Sequence, residues 1–203
     1  MTRILLIEDN EDHAELIQRS LLKGFGKIQL QLSPSADDSY QVLRKKSFDL
    51  ILSDYYLPDV DGDEHIVALN RLAPQVPIVI ITGQGDEKIA ARSIQSGAED
   101  YVVKTREALE ALPNILKRAI VKHRSHLKNK KKEIRRHLDD QKAHVKKVLG
   151  EVEQLDRHMK RLKKMKGDGP IRRKGPAESS ALDHLTQQIA SLKKFVKNVF
   201  FKK

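Results

Sequence analysis

Short apolar runs alternate with amphipathic stretches through the first half of the chain. Residues 3–7 (Arg3-Ile4-Leu5-Leu6-Ile7), 50–53 (Leu50-Ile51-Leu52-Ser53) and 78–81 (Ile78-Val79-Ile80-Ile81) are too short for helices and are bounded by Asp, Gly or Pro, so they read as buried strands. Residues 28–32 alternate apolar and polar side chains, as an edge strand does, and 101–103 form a last strand. Between them apolar positions recur every three or four residues. Glu11–Lys23 predicts a helix with Ala14, Ile17, Leu21 and Leu22 inward and Gly24 and Gly26 closing it. Ser35–Lys46, Asp61–Leu72 (ended by Pro74) and Asp86–Ser96 (stopped by Gly97) predict three more. Five β/α repeats with short connections predict an α/β fold, a doubly wound five-stranded parallel sheet in the order 2-1-3-4-5.

The rhythm then changes. Pro113 suits a first helical turn, and no proline follows until Pro170. Ile120, Leu127, Ile134, Leu138, Val145, Val148, Val152, Leu155, Met159 and Leu162 trace a heptad seam, broken where Arg124, Lys131 and Gln141 occupy seam positions. Unbroken from Pro113 to Met165, such a helix is about 80 Å long at about 1.5 Å per residue, and its narrow stripe needs a partner. Gly167–Ser180 breaks it. A final helix, capped by Ser179 or Ser180, repeats the rhythm with Leu182, Leu185, Ile189, Leu192, Val196 and Val199. The expectation is an all-α helical hairpin or coiled coil that folds back along Gln141–Met165. Two helices bury little, so two chains are expected to join as a homodimer.

Charge marks the same division. Up to Ile120 there are 14 Lys and Arg against 19 Asp and Glu, a net of −5; from Val121 onward there are 25 against 9, a net of +16. The expected domains are 1–122 and a basic helical region, 123–203. The 203 residues contain no cysteine, which excludes disulfides and thiolate metal sites. Acidic and polar residues follow Ile7 at once and no run spans a bilayer, so a cytoplasmic protein is expected.

The expected topology brings four strand ends together: Glu8-Asp9, Asp54, Thr82 and Lys104. Three carboxylates in one pocket repel each other unless a divalent cation occupies it. Taken singly, Asp54 could be a turn aspartate, Thr82 a strand cap and Lys104 a solvated lysine; Asp59–Asp63 lacks the spacing and terminal Glu of a calcium loop and reads as a turn and helix cap.

Together these residues resemble the receiver domain of bacterial two-component response regulators, a flavodoxin-like fold. The resemblance rests on Glu8-Asp9, on Asp54 followed by Leu57-Pro58 and Asp61-Gly62, on Thr82-Gly83, and on Gly97-Ala98-Glu99-Asp100-Tyr101-Val102-Val103-Lys104. It covers about residues 1–122. It implies that Asp54 is phosphorylated by a sensor histidine kinase or a phosphotransfer protein in a phosphorelay. Mg²⁺ is then held by Asp9, Asp54 and the backbone carbonyl of Tyr56, with Glu8 acting through water. Lys104 pairs with Asp54 and then with the phosphoryl group, and Thr82 and Tyr101 form the switch. The implied protein is a regulator, not an enzyme toward an outside substrate. Thr105 stands where many members have proline, so the loop around Lys104 is expected to differ.

The basic half matches no family by resemblance. Three readings of it stay open: a dimerisation and partner-docking module, a nucleic-acid-binding surface, and an anionic-membrane contact through Phe195, Val196, Val199 and Phe200 with their neighbouring lysines. A phosphohistidine site, with His137 before Leu138-Asp139-Asp140, is a fourth.

Overall fold

The computed structural model describes the backbone of residues 1–167 and 176–200, and the side chains of 1–161, 184–196, 198 and 199. It divides into two compact units, Met1–Lys130 and Lys131–Lys203. The first contains β1 (Thr2–Ile7), α1 (Glu11–Phe25), β2 (Ile28–Ser33), α2 (Ala36–Lys45), β3 (Leu50–Asp54), α3 (Gly62–Leu72), β4 (Ile78–Thr82), α4 (Glu87–Gln95), β5 (Asp100–Val103) and the start of α5 (Arg106–Gly167). All neighbouring strands are parallel, in the expected order β2-β1-β3-β4-β5.

Every residue of β3 and β4 is buried because helices cover both faces of the sheet. Ile4, Leu6, Leu50, Leu52, Val79 and Ile81 pack with α1 and α5. Their sequence neighbours Leu5, Ile7, Ile51, Ile78 and Ile80 pack on the other side with α2, α3 and α4. Short polar side chains start the helices, at Ser35, Asp61 and Asp86 as the sequence suggests and also at Asn10: each accepts a backbone N–H from the first turn. Asp59 adds a second cap to α2, accepting the N–H groups of Ala36 and Asp37 at 3.2 and 3.1 Å.

Two expectations in this unit need correction. Leu22 is 53% exposed, while Ala14, Ile17 and Leu21 are buried. At about 100° per residue, Leu22 falls roughly a quarter-turn off the face those three share. Pro113 does not open a helix: α5 begins at Arg106, with Thr105 Oγ1 accepting the Ala108 N–H at 3.2 Å, and Pro113 lies inside it. Proline there leaves the carbonyl of Leu109 without its helical donor. The hydroxyl of Ser20 on α1 donates to that carbonyl instead. The proline ring fills the space above Gly24, where any Cβ would collide with it at 2.4 Å.

In the second unit, α6 (Pro176–Phe200) returns along the later part of α5. Lys193 donates to Asp156 at 2.6 Å, and a cavity of about 180 Å³ is lined by Val145, Leu149 and Val152 of α5 and Leu192 and Val196 of α6, among others. The hairpin is as expected, and its packing line keeps Val145, Val152 and Met159 of the predicted seam but has Leu149 and Asp156 in place of Val148 and Leu155. In this later part of α5, Val145, Leu149, Val152, Asp156 and Met159 are half-buried, as are Gly150 and Glu153, whereas Val148, at the edge of the cavity, and Leu155 are exposed. On α6, Ile189, Lys193 and Val196 are half-buried and Leu185, Leu192 and Val199 are exposed. Asp156 and Lys193 place an ion pair between the helices, and hydrogen bonds from Lys193 and then Lys160 hold the Asp156 carboxyl below its ordinary range. Ser179 and Ser180 lie inside α6, which starts at Pro176, a residue suited to a first helical position. The side chains of Leu162 and Leu182, and residues 168–175 of the predicted breaker, lie outside the described residues.

Candidate functional site

β1 and β3 are adjacent, and the chain departs from them to opposite sides of the sheet, so a crevice opens at their carboxyl ends. Glu8 and Asp9 follow β1, and Asp54 ends β3. One carboxylate oxygen from each lies within 4.8 Å of the others. Glu8 and Asp54 are buried, while Asp9 is exposed at the rim.

Lys104, just after β5, crosses the crevice. Its Nζ donates to Asp54 Oδ2 at 2.6 Å and to Glu8 Oε1 at 3.1 Å, and lies 2.8 Å from Glu8 Oε2. The backbone seats it: Lys104 N–H donates to the carbonyl of Thr82 at 2.7 Å. One ammonium therefore faces two buried carboxylates. Burial pushes the Glu8 carboxyl up, the Lys104 hydrogen bond opposes this, and the nearby Asp54 charge adds to the rise. Glu8 Oε2, though close to the ammonium, has no hydrogen-bond donor aimed at it. An all-oxygen set of three carboxylates around one ammonium keeps surplus negative charge, which fits a hard divalent cation.

Asp54 Oδ1 accepts the Tyr56 N–H at 3.2 Å. Thr82, fully buried at the end of β4, accepts the Gln84 N–H on its hydroxyl at 3.3 Å. Tyr101 is half-buried, its hydroxyl donating to the Gln84 carbonyl at 3.0 Å. Thr82 and Tyr101 thus both bear on the loop that carries Gln84. Of the sequence-selected residues, Glu8, Asp9, Asp54, Tyr56, Thr82 and Lys104 lie at or just beyond the carboxyl ends of their strands, while Tyr101, the second residue of β5, reaches that end through its hydroxyl.

Three further groups had no sequence signal. His13, one turn into α1, places Nδ1 3.3 Å from Glu8 Oε1 and 3.4 Å from Lys104 Nζ. Tyr55 packs on Gly62, where a Cβ would come within 2.6 Å of its ring; its hydroxyl donates to Asp63 at 3.2 Å and accepts from Arg92 of α4 at 3.0 Å. His65 is buried under β3, between the hydroxyls of Tyr40 (2.8 Å) and Ser53 (3.1 Å), and the Ser53 hydroxyl donates to the Asp54 carbonyl at 2.9 Å. These distances chain α2 and α3 to the backbone of Asp54.

Burial lowers the pKa of His65 from 6.5 to about 4, with Asp59 partly offsetting the shift. The unfolded chain then takes up a proton near pH 6.5 that the folded chain refuses until about pH 4, so stability is lost as pH falls through that window. His65 alone is expected to cost about 2 kcal/mol between pH 7.5 and pH 5, and about 3 kcal/mol by pH 4. Urea titrations of wild type and His65→Gln at the two pH values check this. The variant should show a pH dependence shallower by that amount, and parallel curves would disprove it.

Comparison with known proteins agrees with this geometry. The family described as "Response regulator receiver domain" matches residues 4–117. The methanogenesis regulatory protein FilR1 of Methanothrix harundinacea is 33% identical over 125 residues, covering 60% of this chain and 28% of that protein. The transcriptional regulatory protein ZraR of Salmonella typhimurium is 31% identical over 117 residues, covering 58% of this chain and 26% of that protein. The matched part thus spans about a quarter of the length of these curated relatives. A CheY-like receiver domain protein from Methanospirillum hungatei JF-1 shares the fold, with a TM-score of 0.56 at 21% identity over 62% of this chain and 98% of that one.

Proposed function

The chain belongs to the response regulator receiver family, and on that premise we propose that it is a phosphorylation-controlled regulator whose acceptor is Asp54. The observation that carries this is the juxtaposition of Asp54 with Lys104 at 2.6 Å in a crevice shared with Glu8 and Asp9. A carboxylate oxygen of Asp54 forms a bond to phosphorus as the P–N bond of a phosphohistidine donor breaks; the imidazole nitrogen leaves with its electron pair and takes a proton. A histidine kinase or a phosphotransfer protein is the donor this chemistry suits.

Asp9 and Asp54, the backbone carbonyl of Tyr56 and, through water, Glu8 would hold Mg²⁺. When bound, the ion offsets the negative charge that develops on the phosphoryl oxygens. Lys104, already seated between the carboxylates, pairs with a phosphoryl oxygen after transfer. Thr82 donates its hydroxyl to another, and the shared Gln84 loop passes the change to Tyr101. The chain is thereby a substrate of phosphotransfer, not an enzyme acting on an outside molecule.

The receiver, residues 1–122, would bias the helical region, 123–203. In the hairpin, Val148, Leu155, Leu185, Leu192, Phe195 and Val199 expose apolar surface that a second copy could cover. No helix among the described residues is long and apolar enough to cross a membrane. One experiment tests both parts: incubation with a small phosphodonor with and without Mg²⁺, followed by phosphate analysis and light scattering. One hydroxylamine-labile phosphate per chain, dependent on Mg²⁺, and the mass of two chains are expected. Absence of the phosphate removes the first claim; a monomer in both states removes the second.

A further inference from the structure

Within the second unit, every residue from Lys131 to His144 is exposed, so this part of α5 has no cover on any side. A helix bare all round draws little stability from packing. Its charges are nevertheless sorted. Winding at about 100° per residue puts Lys131, Lys132, Arg135, Arg136, Lys142 and Lys146 within an arc of roughly 140°, with Lys147 at its edge. Asp139 is the one acidic residue inside the arc over this stretch. Glu133, Asp140 and Glu151 collect on a separate strip, and Ile134, Leu138 and Val145 on a third.

The basic side chains on this arc also lack partners. Lys160 and Lys193 are each paired with Asp156, and in the first unit Lys122 reaches Glu99 and Arg124 reaches Asp49. Among the described residues, none of the six has an ion pair or a side-chain hydrogen bond. Six cations over about 22 Å of helix repel one another, and a second copy offering the same face would add to the repulsion. A polyanion relieves it.

We propose that this face of α5 binds duplex DNA through its phosphates. A bare helix about 10–12 Å across fits a major groove about 12 Å wide. The arc would set lysines and arginines against both bordering phosphate rows. Among residues 121–167 there is no Phe, Tyr or Trp to stack on unpaired bases, which favours a duplex over a single strand. The proposal does not rest on Asp54, so it stands or falls separately from the phosphoacceptor reading.

The test is fluorescence anisotropy of the full chain with a labelled DNA duplex at several salt concentrations, with single-stranded DNA and phosphatidylserine vesicles in parallel. If about four phosphates are neutralised, log K should fall with log salt at a slope of about −3.6, so affinity drops roughly 150-fold between 50 and 200 mM salt. The triple variant Lys131→Glu, Lys132→Glu, Arg135→Glu should flatten the slope by about three. A variant with the same net charge, altered at the exposed receiver residues Lys23, Lys27 and Lys45, should keep the wild-type slope. Circular dichroism and an unchanged urea unfolding midpoint would show that both variants fold. No duplex binding, an equal loss in both variants, or binding to vesicles but not to duplex would each overturn the proposal.

Discussion

Asp54→Asn is expected to reduce phosphoryl incorporation by at least about a thousandfold, a barrier increase of more than about 4 kcal/mol, without unfolding the chain. The amide has nearly the shape of the carboxylate it replaces, so β3 and its buried neighbours keep their packing. It carries no anionic oxygen, and its nitrogen is a poor nucleophile toward phosphorus. The substitution also removes one negative charge from a crevice where Glu8 and Asp54 share a single ammonium. Stability in metal-free buffer should therefore hold or rise. Phosphate analysis after treatment with a small phosphodonor measures the first effect and urea unfolding the second. Labelling at the wild-type level would rule out Asp54 as acceptor, and residual label that survives alkali but is lost in acid would point to a histidine.

Lys104→Met should cost about 3 kcal/mol of receiver stability at neutral pH without metal. The side chains of Lys104, Glu8 and Asp54 are 7%, 0% and 9% exposed, so water screens little of their interaction. Methionine preserves the packing of the stem but leaves two buried carboxylates facing each other. Most of the cost should come from that repulsion and lost solvation, not from the absent hydrogen bonds. Glu8→Gln added to Lys104→Met should then recover a large part of the loss, and Mg²⁺ should stabilise the Lys104 variant more than it does wild type. A double-mutant cycle by urea unfolding reads these terms. If Lys104→Met proves neutral, the ammonium is not what holds the acidic crevice together.

Much of the receiver was legible in the chain because its signals are local. Continuous apolar runs in 3–7, 50–53 and 78–81 can only be strands covered on both faces. Ser35, Asp61 and Asp86 announce their helices through side chains that bond the first turn. Right-handed β/α connections leave few ways to order such strands, and that order sends Glu8, Asp9, Asp54, Thr82 and Lys104 to one end of the sheet. A seven-residue rhythm and a basic composition likewise foretold helices in the second half.

What remained for the tertiary structure was every decision made between distant side chains. The periodicity of α5 could not show that the charged pair Asp156 and Lys193 would meet between the helices, because neither is part of the apolar rhythm. Pro113 looked like a helix start because its missing N–H is harmless there. Inside α5 the carbonyl it leaves unbonded, that of Leu109, accepts from Ser20, 89 positions earlier in the chain than Leu109. His65 sits beneath the acceptor strand between Tyr40 and Ser53, and nothing within its own helix marks it. Patterns along the chain decide which face of an element is apolar. Hydrogen bonds and ion pairs between elements are set only once packing has brought them within about 3 Å.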